Sequence, residues 1–251
     1  MLPEGTLQRA AHKVANYIEK YVKLVGAERR EEVLELFENM HRVFPQWVIM
    51  TCPMMHPDIH YISKNGQYVF GYSNEDLLKN SVLESFFPHV HESDQQDLHD
   101  CFAYVHDFLE SVPSEEHCNY RVVFNYRFRK ENGQYMHLHD EKATLSLRGS
   151  GNLYYVLIRD ITSEKAFAGV KIELFKQEQT LIKIKEFKPS ADRNPLSKRE
   201  EELVTLIKQG LSTKEIAWYL KISHKTVRNI KSKLFEKYNV NNSIELLNMT
   251  G

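Results

Sequence analysis

The stretch Ser212 to Lys237, STKEIAWYLKISHKTVRNIKSKLFEK, constrains this chain more than any other. Ser212 with Glu215 forms a capping box, which predicts a helix start. Ile216, Ala217 and Leu220 give that helix one apolar face, and Ala217 is small enough for a close helix crossing. Lys221-Ile222-Ser223 reads as a tight turn, with Ile222 plugging the gap between helices. Ser223 then caps a second helix through its hydroxyl. Val227, Ile230 and Leu234 form the apolar side of that second helix. Lys225, Thr226, Arg228, Asn229, Lys231, Ser232, Lys233 and Lys237 occupy the remainder, with Glu236 as the nearby acid.

DNA is a dense line of negative charge, and its major groove admits a helix. A helix held by its apolar side, with basic and amide side chains on the other, can enter and read that groove. On an isolated helix such a run is more often a solvated face, so the flanks matter. Upstream, Leu196 to Val204 opens another helix with a capping box, Ser197 to Glu200, and Gly210 suits the left-handed position past its end. Downstream, Tyr238 to Ser243 closes the cationic helix, and a last helix follows from Ile244 to Asn248.

Four short capped helices at this spacing, carried by LSKREEELVTLIKQGLSTKEIAWYLKISHKTVRNIKSKLFEKYNV, make residues 196–247 resemble the LuxR-type helix-turn-helix domain of bacterial transcription regulators. The resemblance implies promoter binding as a homodimer on a two-fold site, with RNA polymerase as a further partner. Helix phase then assigns roles. Thr213 and Lys214 touch phosphate at the start of the first helix. Lys225, Thr226, Arg228, Asn229 and Ser232 face the groove, and Lys231, Lys233 and Lys237 neutralise phosphates. Two positions depart from the usual pattern. Ile230 stands where His is common, and Tyr238-Asn239 replaces Leu-Gly, Asn being a residue that tolerates the left-handed backbone.

At 251 residues the chain is long enough for two domains. Net charge is −1, so no global pull toward nucleic acid exists; the basic charge is local, with ten Lys and Arg against six Glu in residues 196–251. Three dispersed cysteines, Cys52, Cys101 and Cys118, suit a reducing compartment rather than a disulfide framework. No apolar run approaches the ~20 residues of a membrane span, and the N-terminus lacks a secretory core. A cytoplasmic protein without a membrane partner is expected.

From the start, residues 6–25 read as a helix with Leu7, Ala11, Val14, Ile18, Val22 and Val25 in one stripe. A second helix runs from about Glu31 to Val43. Such stripes pack on their own domain or form a dimer contact. Trp47–Met50 and Ile59–Ile62 are short strands, Ser73 caps a small helix, and residues 93–112 form a longer helix. Tyr120 to Arg129 alternates as a half-buried strand, Asn132-Gly133 signals a hairpin, and residues 134–147 and 153–158 follow as strands. The last is apolar on both parities, so both its faces need cover.

This order, with VFGYSNEDLL, Phe87-Pro88 to Asp94, RFRKENGQY and the exit Arg159-Asp160-Ile161-Thr162, resembles a PAS domain over roughly residues 45–162. The resemblance implies a sheet whose concave face holds a small-molecule ligand or mediates dimerisation. The expected fold is therefore α+β: an N-terminal helical segment (1–44), a PAS-like antiparallel sheet domain (45–162), a connector (163–195) and an all-α four-helix domain (196–251). Within the connector, residues 169–187 fit a hairpin or a helix equally well.

Other chemistry finds little support. Cys52, His56 and His60, the pair His137 and His139, and the pair His89 and His91 lack metal-site spacing. No metal or cofactor is indicated, although a PAS-like domain admits haem or flavin, with His99 or His106 on the long helix as the haem candidates. No phosphate-cradling loop, nucleophile elbow or HExxH motif is present, so an enzyme is not expected. The rival to a DNA-binding sensor regulator is an adaptor whose basic helix binds an acidic partner.

Overall fold

The computed structural model describes the chain except residues 1–4, 53–54, 57, 80–85, 148–150, 165, 191–194, 239 and 251. It divides into two compact units: Met1–Lys165 with Val170–Phe187, and Ala166–Gly169 with Lys188–Gly251. Among the described residues no helix is long and apolar enough to cross a membrane.

The first unit opens with α1 (Thr6–Tyr21) and α2 (Arg30–Val43). Strand β1 (Val48–Thr51) follows, then the short helices α3 (Gly66–Phe70) and α4 (Asn74–Lys79), and the long helix α5 (Gln95–Ser111). Then come β2 (Tyr120–Arg129), β3 (Tyr135–Leu147), β4 (Gly151–Asp160), β5 (Lys171–Gln177) and β6 (Leu181–Phe187). The strands form one antiparallel sheet in the order β1-β4-β3-β2-β5-β6. The expected strand at 59–62 runs beside β1 through a single bridge, Met50 to Ile62. Two extended N-terminal segments, small helices, a long helix and a three-strand meander follow one another in the expected order.

The hairpin between β2 and β3 turns at Gly133, whose φ of 82° is the left-handed backbone that the Asn-Gly pair signals. The same register carries the buried Tyr120, Phe124, Tyr126 and Phe128 of β2 onto one face. The start of α5 is tied to β2 by Asp94, 3% exposed, which accepts from the Arg127 backbone N–H at 2.9 Å and from its guanidinium at 2.5 Å.

Both faces of β4 are covered, as its composition required. Leu153 and Tyr155 pack with Val33 and Phe37 of α2 on one side. On the other side, Val156 and Ile158 face a cavity whose far wall is α1 and α5. The α1 stripe is therefore spent inside its own chain: Leu7, Ala11, Val14 and Ile18 are all buried there. Of the two readings of that stripe, this burial supports packing on its own domain. Residues 163–195 are not merely a connector either. Residues 171–187 form the β5–β6 hairpin, which resolves the strand-or-helix ambiguity and adds two strands to the sheet beside β2.

The second unit contains α6 (Lys198–Lys208), α7 (Thr213–Tyr219), α8 (His224–Tyr238) and α9 (Ser243–Thr250). Both capping boxes form, Ser197 with Glu200 and Ser212 with Glu215. Leu203, Leu206, Ile216, Ala217, Val227 and Leu234 make its core, with Ile222 and Ile230 packed against them. The expectation for Asn239 lies outside the described residues.

Candidate nucleic-acid interface and internal cavity

The turn between α7 and α8 is closed by two backbone bonds. Ile222 N–H donates to the Ala217 carbonyl at 3.0 Å and Lys221 N–H to the Trp218 carbonyl at 3.2 Å. This is the Schellman arrangement, which places Lys221 in the left-handed region, with φ 54°. Ser223 Oγ then accepts from the Thr226 N–H at 3.0 Å, satisfying an otherwise orphaned donor at the start of α8. Val227 and Leu234, both fully buried, fix the rotation of α8.

That rotation leaves Lys225, Thr226, Arg228, Asn229, Ser232 and Lys233 exposed along α8. On α7 Lys214 is exposed and Thr213 half-buried. The Thr226 hydroxyl lies 2.8 Å from Ser223 Oγ, so it also serves the cap. Lys231 is half-buried, its ammonium over the Phe235 ring at 5.8 Å.

Lys237 departs from the expectation of a free phosphate neutraliser. Its ammonium is 2.9 Å from Glu200 Oε2 and donates to the Pro195 carbonyl at 2.9 Å. Burial alone raises the Glu200 carboxyl, but the Ser197 cap and Lys237 outweigh it and hold it below the ordinary carboxylate value. Lys237 thus locks α8 onto the start of α6. Sequence reasoning also passed over Trp218 and Tyr219, 81% and 62% exposed, which border a shallow recess with Lys221 and His224. Their signal was present: both fall off the Ile216, Ala217, Leu220 stripe.

In the first unit the cavity measures about 100 Å³. Ala11, Val14 and Ile18 of α1 and Phe102, Val105 and Leu109 of α5 supply apolar wall. The polar wall follows from strand register. Asp140 and Lys142 of β3 stand opposite Phe124 and Val122 of β2, and opposite Ile158 and Val156 of β4, so all six share the cavity face. Asp140 accepts from the Tyr126 hydroxyl at 2.8 Å and pairs with Lys142 at 2.5 Å. Burial first, then the Asp140 charge, push the Tyr126 phenol well above its ordinary range.

His99 and His106, the haem candidates, do not line this cavity. His99 pairs with Asp100 at 3.1 Å, and His106 sets its ring edge against Tyr17 of α1. Three of the other histidines considered have local tasks. His56 Nε2 accepts from the Tyr154 N–H at 2.9 Å, His89 meets the Tyr72 hydroxyl at 3.1 Å, and His91 accepts from the Ser93 N–H at 3.2 Å.

The profile of bacterial regulatory proteins of the luxR family matches residues 194–250, which contain all four helices of the second unit. These residues are a LuxR-type helix-turn-helix domain. The LuxR-type segment is 46% identical over 57 residues to the transcriptional regulatory protein DesR of Bacillus subtilis (strain 168), covering 23% of this chain and 29% of that protein. The chain thus spans less than a third of that relative's length. Over 86% of each chain, similarity is found to a Vibrio cholerae VqmA dimer solved without its target DNA, at 17% identity and TM-score 0.32. A PAS domain of an HTR-like protein from Haloarcula marismortui is 15% identical at TM-score 0.30, over 53% of this chain and 99% of that one.

Proposed function

We propose that this chain is a cytoplasmic bacterial transcription regulator that binds promoter DNA as a homodimer and senses a small molecule in its N-terminal unit. One observation carries the DNA reading. In a LuxR-type domain, α8 keeps its apolar side buried while Lys225, Arg228, Asn229 and Lys233 stand exposed. Phosphate contacts from the lysines would position the helix, and Arg228 and Asn229 have the donor geometry for base edges. Lys214, at the start of α7, reaches the backbone beside them.

The test is fluorescence anisotropy of the full chain against fragments of its own genome, followed by footprinting of any bound fragment. Protection of a two-fold symmetric site supports the reading. An absence of fragment-selective binding, with capture of an acidic protein partner instead, supports the adaptor.

For the sensor, the supporting feature is the Asp140–Lys142 pair set in a mainly apolar and aromatic wall. Such a wall suits a small, flat, neutral ligand with one acceptor for the Lys142 ammonium. Native mass spectrometry of freshly purified protein reads bound ligand and subunit number together. Replacing Lys142 with Met should abolish ligand retention and leave the subunit number unchanged.

A further inference from the structure

On α5, His106 is followed by Asp107 and, one turn on, by Glu110. The His106 side chain is 6% exposed, and its Nδ1 is buried without a hydrogen-bond partner. Buried polar atoms in native folds are nearly always satisfied, so this nitrogen calls for an occupant. It faces Asp107 Oδ1 at 3.6 Å and Glu110 Oε2 at 3.5 Å, and the three atoms lie within 4.8 Å of one another. In a tetrahedral site with bonds of about 2.0–2.1 Å, neighbouring donor atoms stand about 3.3 Å apart. The spacing observed therefore needs only small side-chain adjustments to close on an ion.

We propose that His106 Nδ1, Asp107 and Glu110 bind a divalent transition metal, zinc by the match of imidazole and carboxylate donors, with water in the fourth position. Two carboxylates and a neutral imidazole balance the charge of such an ion. Asp107 and Glu110, 77% and 55% exposed, leave it a path from solvent. The imidazole is steadied by the edge contact with Tyr17, 5.3 Å between ring centroids, and the Tyr17 hydroxyl donates to the Leu109 carbonyl at 3.4 Å. The site therefore sits on the seam of α1 and α5. Val105 and Leu109, beside His106 and Glu110 on the same helix, line the internal cavity.

The experiment takes the full-length chain, stripped with a chelator, and titrates zinc against a chromogenic competitor. One tight equivalent per chain is expected. The double variant Asp107→Asn/Glu110→Gln changes two exposed side chains and should weaken that equivalent at least tenfold while leaving thermal unfolding in chelator unaltered. His106→Gln should do the same to binding. A wild type without a tight equivalent, or an Asp107→Asn/Glu110→Gln variant that binds zinc as the wild type does, overturns the site. Neither result depends on DNA or on a cavity ligand.

Discussion

Lys221 occupies a left-handed backbone that costs a side-chain-bearing residue about 1–2 kcal/mol. Glycine lacks that penalty but loses more chain entropy on folding. Lys221→Gly should therefore stabilise the helical domain by up to about 1 kcal/mol, and Lys221→Val should destabilise it, both read from thermal unfolding. Asp94 is a stronger case, because its carboxylate is buried and charge-paired to Arg127. Asp94→Asn should cost about 1.5–3 kcal/mol, because the Arg127 backbone N–H and half-buried guanidinium lose a charged acceptor, as chemical denaturation would show. His56 carries the clearest pH signature. Burial holds it below the ordinary value of 6.5, and its Nε2 must stay unprotonated to accept from Tyr154. The unfolded chain then binds the proton more readily than the fold. Stability is complete above pH 6.5 and is lost as pH falls toward the folded value. His89 and His91 are lowered too, burial leading in each, and add the same sign. Melting temperatures should drop between pH 7 and 5.5, and a flat profile would contradict this. Local residue roles were legible in sequence where the partner lies three residues away, as with Ser197–Glu200 and Ser212–Glu215. Tyr126–Asp140 and Lys237–Glu200 were not, because register and helix crossing create those pairs across 14 and 37 residues.

Elements were read most securely where two signals agreed. Alternation and Asn-Gly together fixed β2, the turn and β3, and three caps fixed the helix starts around α6, α7 and α8. The β5–β6 hairpin had only one signal. LIKIKEF carries apolar residues at both parities because β6 is the sheet edge, with Leu181, Ile182 and Ile184 all more than 40% exposed. Neither face is committed, so the period could not speak. For α1 the period was right and the destination open: an amphipathic stripe records that a face is buried, not which chain buries it. Since α1 closes the cavity, deleting residues 1–21 should lower the melting temperature and raise binding of a hydrophobic dye. A truncated chain that melts like the intact one would return α1 to the role of a detachable arm. Ser223→Ala removes the α8 cap and should cost about 1 kcal/mol in thermal unfolding, with weaker DNA binding through fraying of the first turn.

At the scale of the molecule, charge is segregated while the total is nearly balanced. Net charge is −1, yet residues 196–251 carry ten basic against six acidic side chains. Internal pairing narrows this further, since Lys237 is held by Glu200 and Arg199 by Glu202. Of the exposed basic side chains that remain, Lys225, Arg228 and Lys233 lie on α8 and Lys214 at the start of α7, with Lys198 and Lys208 on α6 and Lys221 in the turn. A protein so arranged should approach DNA through one unit alone, and its affinity should be governed by counterion release from a few phosphates. The most direct measurement is operator affinity of the full chain as a function of salt, for wild type and for Lys225→Ala/Arg228→Ala. The expected result is weaker binding together with a slope of log affinity against log salt shallower by up to about 1.8, near 0.9 for each phosphate no longer neutralised. Affinity and slope unchanged by the double substitution would contradict the placement of α8 against the duplex.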